Sequence, residues 1–354
     1  MSANLTPAAL RDAAVAIARE AGAILLEGYG RKHDPERKGR IDLVTEYDRR
    51  SEELVLARLS ERFPGSAVLA EESGAHASAS PLRWIVDPLD GTTNFAHNYP
   101  FFAVSIAAEL EGEVVAGAIY DPVRPEMFAA ARGEGTTKNG EPIRVSAIAR
   151  LEDALLVTGF PYDVRERPEL LIPTFQEFLS RAQAVRRDGS ATLNLCYLAM
   201  GRFDGFWEAS LAPWDLAAGT LLVREAGGRV TNFRGGAFDL VSVLRMGLEI
   251  QGFEVIEAMD GEEGLRRARQ ERPDLMVLDL MLPKMDGYKV CRALKFDDRF
   301  KNLPIIILSA RSGDQDRKLA LDMGADLFMT KPYEMSELVA KIRQKLAGGA
   351  KKAA

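Results

Sequence analysis

The stretch Trp84-Ile85-Val86-Asp87-Pro88-Leu89-Asp90-Gly91-Thr92-Thr93-Asn94-Phe95 constrains this chain more than any other. It opens as an apolar, strand-like run and ends in carboxylates, after which Gly91 turns the chain into a Thr-Thr-Asn helix start. Asp87 and Asp90 bracket a Pro-Leu turn, so both carboxylates can lean toward one point, and the backbone carbonyl of Leu89 offers a third oxygen. Hard oxygen donors of this kind suit Mg2+ rather than Zn2+. Gly91, Thr92 and Thr93 then supply free amide donors and a hydroxyl at a helix N-terminus, which attracts phosphate. A cation and an anion would sit side by side.

Four further acidic residues stand at element ends. Thr45 and Asp48 have capping-box spacing at the start of a helix reaching about Phe63, and Asp48 can be read as that cap alone. Glu71 follows the short strand Ala67–Ala70, at the strand C-terminus where α/β enzymes place ligands, although an acidic pair there also suits a solvated loop. Glu208 closes the short strand-like run Asp204–Trp207. Asp215 lies in the first turn of a helix opened by Pro213 and Trp214, where an acidic residue also satisfies the helix dipole. Gly189, Ser190 and Ala191 repeat the order of strand, glycine and helix start.

Taken together these motifs resemble the inositol monophosphatase family over about residues 1–238. The resemblance implies a layered αβαβα sugar-phosphatase fold and a phosphomonoesterase that hydrolyses inositol 1-phosphate or a similar polyol phosphate with a metal-activated water. It implies Mg2+ held by Glu71, Asp87, Leu89, Asp90 and Asp215, with Asp48 and Thr92 orienting the water and Glu71 also serving catalysis. Substrate contacts fall to Asp90, Gly91, Thr92, Gly189, Ser190, Ala191, Glu208 and Asp215. Arg37 or Lys38, in the charged loop 31–40, is expected to approach the phosphate. Lithium inhibition and homodimers belong to the same resemblance.

The bulk numbers agree with a soluble, two-domain, cytoplasmic reading. The 354 residues are 47% hydrophobic and 28% charged, which is ordinary for globular protein. A net charge of −6 steers nothing toward nucleic acid, and no apolar run is long enough to span a membrane. Cys196 and Cys291 form neither a disulfide framework nor a zinc pattern. The Cys196-x5-Arg202 spacing of cysteine-dependent phosphatases falls in an apolar helical run and is set aside as core.

Beyond Phe238 the pattern changes. Phe253–Ala258, Asp274–Asp279 and Leu303–Ser309 read as parallel-type strands alternating with helices such as 262–270, a doubly wound arrangement. Residues 239–346 resemble a flavodoxin-like response-regulator receiver, with Asp279 at the phosphoacceptor position, Ser309 and Lys331 at the positions that sense the phosphoryl group, and Phe328 at the aromatic switch position. Residues 347–354 read as a flexible tail.

The receiver resemblance departs from its pattern at the front. Residues 239–248 read as its first helix, but the first strand and the acidic pair after it are missing, and Gly235 and Gly236 stand where Mg2+-binding carboxylates belong. That strand is central in the order 2-1-3-4-5. The phosphatase pattern likewise lacks its closing strand and helix. Two alternatives stay open: a signalling fusion in which the receiver is regulatory and a histidine kinase is its partner, and a defective hybrid of two truncated domains. Without the acidic pair, Asp279 is expected to accept phosphate from acetyl phosphate with Mg2+ poorly or not at all. Intact-mass measurement checks this, and a stoichiometric phosphoryl adduct on Asp279 would sink it.

Overall fold

The computed structural model describes residues 5–32, 35–37, 43–76, 78, 80–161, 164, 168–231, 233, 248, 251–258, 260–280, 282, 285–309, 314–330 and 335–350. The chain divides into two compact units, Met1–Leu240 and Val241–Ala354. Lys38, Gly235, Gly236, residues 239–247 and Lys331, as well as the side chain of Arg37, lie outside the described residues.

In the first unit, α1 (Pro7–Gly28) starts at Thr6, whose side chain accepts from the Ala9 amide, with Pro7 in the first turn, where proline costs no hydrogen bond. The short pair β1 (Glu36–Arg37) and β2 (Leu43–Val44) leads to α2 (Glu46–Arg62). There follow β3 (Ala67–Ala70), β4 (Gly74–His76), β5 (Leu82–Asp90), the single-turn α3 (Thr92–Ala96), β6 (Ala103–Leu110), β7 (Glu113–Asp121), β8 (Glu126–Ala131), β9 (Gly135–Lys138) and β10 (Glu141–Ile143). Seven of these strands and β4 form one sheet in the order β10-β9-β8-β7-β6-β5-β3-β4, antiparallel except where β3 joins β5 in parallel. The two hairpin turns read from sequence are present. Glu111-Gly112 and Asn139-Gly140 have positive φ at both central positions, the twist-matched geometry of tight hairpins.

A second sheet stacks beyond the first. It is built from β11 (Leu155–Thr158), β12 (Ala184–Arg186) and β13 (Gly205–Trp207), all parallel, in the order β12-β11-β13. Between β11 and β12 runs α4 (Pro168–Arg181), and α5 (Ala191–Ala199) and α6 (Pro213–Glu225) lie between the two sheets. The layers are therefore α1 and α2, the large sheet, α5 and α6, the small sheet, and α4, which is the αβαβα arrangement.

The first core lies under α1 and α2. Leu10, Ile17 and Leu25 meet Leu59, Trp84, Val86, Val104 and Ile106, while Phe63 packs on Trp84 with ring centroids 5.0 Å apart. The opposite face of the sheet seats α6 through small residues. A Cβ on Gly117 of β7 would stand 3.0 Å from both Cα and Cβ of Ala218, so this glycine lets the helix approach the sheet closely.

The second unit contains α7 (Gly261–Glu271), β14 (Met276–Asp279), α8 (Gly287–Lys295), β15 (Ile305–Ser309), α9 (Asp314–Asp322), β16 (Leu327–Thr330) and α10 (Met335–Ala350). Its strands pair in parallel in the order β14-β15-β16. The apolar run of β15 is explained by burial on both faces. Ile305 and Ile307 enter a core with Val290, Cys291 and Leu294, whereas Ile306 and Leu308 enter another with Leu338, Val339 and Ile342.

Two expectations are corrected here. Phe253–Ala258 is not a strand: Phe253 and Val255 pack into the second of these cores, yet the segment has no ladder partner among the described residues. A parallel strand at that place needs a central neighbour, and none is present among the described residues. The expected tail from residue 347 is in part helix, because α10 runs through Gly348 and Gly349 to Ala350. Two glycines lower helix propensity without removing the backbone donors that continue the helix.

The Gly117 contact gives a measurable expectation. Gly117→Val is expected to lower stability by about 1–3 kcal/mol through overpacking against Ala218, read as a lower thermal midpoint of the first unit. An unchanged midpoint would show that α6 can shift freely on the sheet.

Candidate active site

The site is assembled where β5 ends. Its pairing with β6 shifts register between Asp87↔Ser105 and Asp90↔Ala103, so the Pro-Leu pair forms a bulge inside the strand rather than a turn after it. Bulges re-aim side chains, and this one brings Asp87 and Asp90 to the same end of the sheet. The Leu89 amide donates to Asp87 Oδ1 at 3.0 Å, which fixes the carboxylate against its own loop. Gly91 then takes φ 91°, and a Cβ there would stand 2.9 Å from the Phe101 carbonyl oxygen. Glycine is needed at this position on both counts.

Asp48 and Thr92 meet across this turn. The Thr92 hydroxyl is 3.0 Å from Asp48 Oδ1 and 3.0 Å from the Leu89 carbonyl oxygen. Asp48 is fully buried and also serves its capping box, its Oδ2 accepting from Thr45 N at 2.8 Å and Thr45 Oγ1 at 2.6 Å. The two readings of Asp48 are therefore compatible: one oxygen caps the helix and the other holds the threonine.

Asp90 faces the start of α5. Its Oδ2 accepts from Ser190 Oγ at 2.5 Å, Thr192 N at 2.7 Å and Thr192 Oγ1 at 2.5 Å. Burial raises its pKa, and these donors offset only part of that rise. Gly189 has φ 85° and precedes Ser190, the N-cap of α5. Asn94 ties this turn to the first, donating from Nδ2 to the carbonyls of Phe101 and Asp188, each at 2.8 Å. Gly189, Ser190 and Ala191 thus lie beside Gly91 and Thr92, although a hundred residues separate them in the chain.

Asp215 Oδ2 accepts from the Ala212 amide at 2.6 Å, capping α6. Glu71 is held by its backbone, its N–H donating to Val86 O at 3.2 Å. The pKa of Asp87 is raised well above the usual carboxylate range, by burial first and then by the charges of Glu71, Asp90 and Asp215. The carboxylates of Glu71, Asp90 and Asp215 thus lie close enough to Asp87 to act on its charge. Among the described residues, no three acidic, imidazole or thiol side chains stand close enough together to hold a metal ion as they are placed. The donor set is nevertheless all oxygen, with Asp87 and Asp90 buried and Glu71 and Asp215 half-buried, which fits a hard divalent cation and not a soft one.

Glu208 lies beyond β13 with its carboxyl group pressed on the Gly159 backbone, where a Cβ would meet Oε1 at 1.9 Å. Burial and the Asp90 charge push its pKa up to about 8, against the opposing influence of Arg187. Cys196 is buried in α5, and burial raises its thiol pKa, which leaves it inert at neutral pH.

Sequence reasoning missed Ser51 and Glu52, both buried on α2. Ser51 Oγ donates to Pro88 O at 2.8 Å, and Glu52 accepts from the amides of Glu72 and Ser73. Buried polar residues on an otherwise apolar helix face were the available signal.

A strand bulge bearing buried carboxylates, a threonine hydroxyl beside a buried aspartate and a second glycine turn come together at one place in an αβαβα fold. Residues 7–253 match the model of the inositol monophosphatase family, and residues 238–343 match that of the response regulator receiver domain. The inositol-1-monophosphatase of Mesorhizobium japonicum is 42% identical over 70% of this chain and 93% of its own length. Nus factor SuhB of Escherichia coli is 41% identical over 63% of this chain and 85% of its own. The extragenic suppressor protein SuhB of Bartonella henselae superimposes with a TM-score of 0.61 at 45% identity, covering 64% of this chain and 88% of that one. The chain belongs to the inositol monophosphatase family, a phosphoric monoester hydrolase, and carries a receiver domain behind it.

In that receiver domain Asp279 ends β14 and the buried Ser309 ends β15, in neighbouring parallel strands. Gly287 packs so closely on Asp279 that a Cβ would meet its carbonyl oxygen at 2.2 Å. Phe328 is buried. A groove of about 690 Å3 lined by Arg272, Arg299, Pro304 and Lys345 lies at the other end of these strands, and none of the residues assigned to chemistry lines it.

Glu208 has a signed pH consequence. Its folded pKa of about 8 lies above the ordinary value of 4.5, so between those values the folded state holds a proton that the unfolded state has lost. Its contribution to stability is therefore full below the lower value and falls as pH rises through the window. Glu208→Gln is expected to flatten that decline and to exceed the parent's stability above about pH 8 by a few kcal/mol. Parallel melting curves of the first unit check this, and an unchanged pH slope would count against it.

Proposed function

We propose that this chain is a Mg2+-dependent phosphomonoesterase acting on inositol 1-phosphate or a similar polyol phosphate. The observation that carries the reading is the Thr92 hydroxyl held 3.0 Å from buried Asp48, beside the carboxylates of Glu71, Asp90 and Asp215, whose charges raise the pKa of buried Asp87. Glu71, Asp87, Asp90, Asp215 and the Leu89 carbonyl would hold Mg2+. Bound there, Mg2+ supplies charge neutralisation for the phosphoryl oxygens and leaving alkoxide and acidifies a water.

The remaining work falls to the chain itself. Asp48 Oδ2 is occupied by Thr45, which leaves Oδ1 to accept from Thr92. A water donating to Thr92 Oγ1 is then fixed with a lone pair toward phosphorus, and its proton can pass through the hydroxyl to Asp48. The amides at Gly91 and Thr92 bind the phosphoryl oxygens, and the Gly189–Ala191 turn and Glu208 contact the polyol. A protonated Glu208 can donate to one hydroxyl and accept from another. The same resemblance supports homodimers and lithium sensitivity.

The receiver domain is read as impaired in phosphorylation, with the phosphatase part ending near residue 238 and the receiver part spanning 239–346. Two observations support a shortened junction. The two family matches overlap across residues 238–253, and Phe253–Ala258 lacks a strand partner among the described residues.

Phosphate release from inositol 1-phosphate, with and without Mg2+, tests the main reading. Mg2+-dependent turnover is expected in the parent, with Asp87→Asn lowering it at least about a hundredfold. Turnover that survives Asp87→Asn or ignores chelation would overturn the metal reading. Folded protein without turnover would move the substrate to another phosphomonoester.

A further inference from the structure

One face of α2 grips the segments that carry the site. Asp48, Ser51 and Glu52 stand at i, i+3 and i+4, the spacing that places side chains on a common helix face, and all three are buried. Asp48 Oδ1 accepts from Thr92. Ser51 Oγ donates at 2.8 Å to the carbonyl of Pro88, between Asp87 and Leu89. Glu52 Oε2 accepts from the Glu72 amide at 2.9 Å, and its Oε1 accepts from the Ser73 amide at 2.8 Å. The loop so held begins with Glu71, whose own amide is bonded to Val86 O, the residue before Asp87.

We propose that Glu52 is a positioning residue that sets Glu71 relative to Asp87 and thereby the affinity of the site for a divalent cation. The proposal rests on the metal reading given under Proposed function. Its physical basis is the pairing of both carboxylate oxygens with consecutive backbone amides, a charge-assisted and geometrically exacting arrangement. Those amides immediately follow Glu71, so a shift of the loop moves that carboxylate directly. Neighbouring groups that orient metal ligands typically change metal affinity by about 10–100-fold when removed. Glutamine in this place would keep the volume but turn an NH2 group toward one backbone N–H, releasing half of the grip.

The test is titration calorimetry of the full-length chain with MgCl2 alone, without substrate, on the parent, Glu52→Gln and Val55→Ala. Val55 is buried one turn further along α2 and serves as a control for lost stability. Glu52→Gln is expected to raise the Kd for Mg2+ about tenfold and to shrink the rise in Tm caused by Mg2+. Val55→Ala should lower Tm while keeping the parent Kd. A parent-like Kd in Glu52→Gln, or an equal Kd shift in Val55→Ala, would overturn the positioning role. If the parent binds no Mg2+, the metal reading fails and takes this proposal with it. Should Glu52→Gln not fold, Glu52→Asp, which keeps the charge but shortens the reach, is expected to show a weaker shift in the same direction, and a parent-like Kd in it would equally overturn the role.

Discussion

Four carboxylates drawn toward one end of a sheet are the constraint on which the first unit depends. Asp87 is almost wholly buried, and its charged neighbours Glu71, Asp90 and Asp215 all raise its pKa. Effective penalties for burying an ion are several kcal/mol, and like charges nearby add to them. The surrounding structure offsets the cost piecemeal. Asp48 takes two donors from Thr45 and one from Thr92, Asp90 takes three from Ser190 and Thr192, and Asp215 takes a backbone amide. Around Asp87 burial and the neighbouring carboxylates together favour a proton or a cation, in a family of phosphomonoesterases that act on anionic substrates.

Rigid elements impose the geometry. The bulge in β5 aims Asp87 and Asp90, the face of α2 holds Thr92, Pro88 and the loop after Glu71, and α6 brings Asp215 in because Gly117 allows it close to β7. Each segment is fixed by a neighbour on a different layer. A site made this way is precise for the same reason that it is sensitive: shifting one layer moves a ligand. The apolar packing of Trp84, Phe63 and α1 behind the sheet keeps the layers in place.

The receiver unit obeys a different rule. Its strand β15 is apolar on both faces because helices cover both, and such a parallel sheet depends on every central strand being present. In Phe253–Ala258, Phe253 and Val255 pack into the core, while the segment makes no ladder among the described residues. Hydrophobic burial alone places a chain segment near a sheet, and only a neighbouring strand turns it into part of one.

The strand-turn-helix at 84–95, both tight hairpins, the capped starts of α1 and α2 and the residue types of the site were legible in the sequence, because each depends on neighbours within a few positions. Strand character in Phe253–Ala258 was overread for the complementary reason, since its apolar composition is local but its pairing is not. Glu52 and Ser51 were missed because their partners lie 20 and 37 residues away, in the turn after β3 and in the bulge of β5. The sequence by itself thus determined which chemical groups are present and where elements begin, through local propensities and capping. Only the tertiary structure decided that Asp48 meets Thr92, that Asp90 caps the turn before α5 and that Glu208 is desolvated against Gly159, because those distances arise from how layers stack.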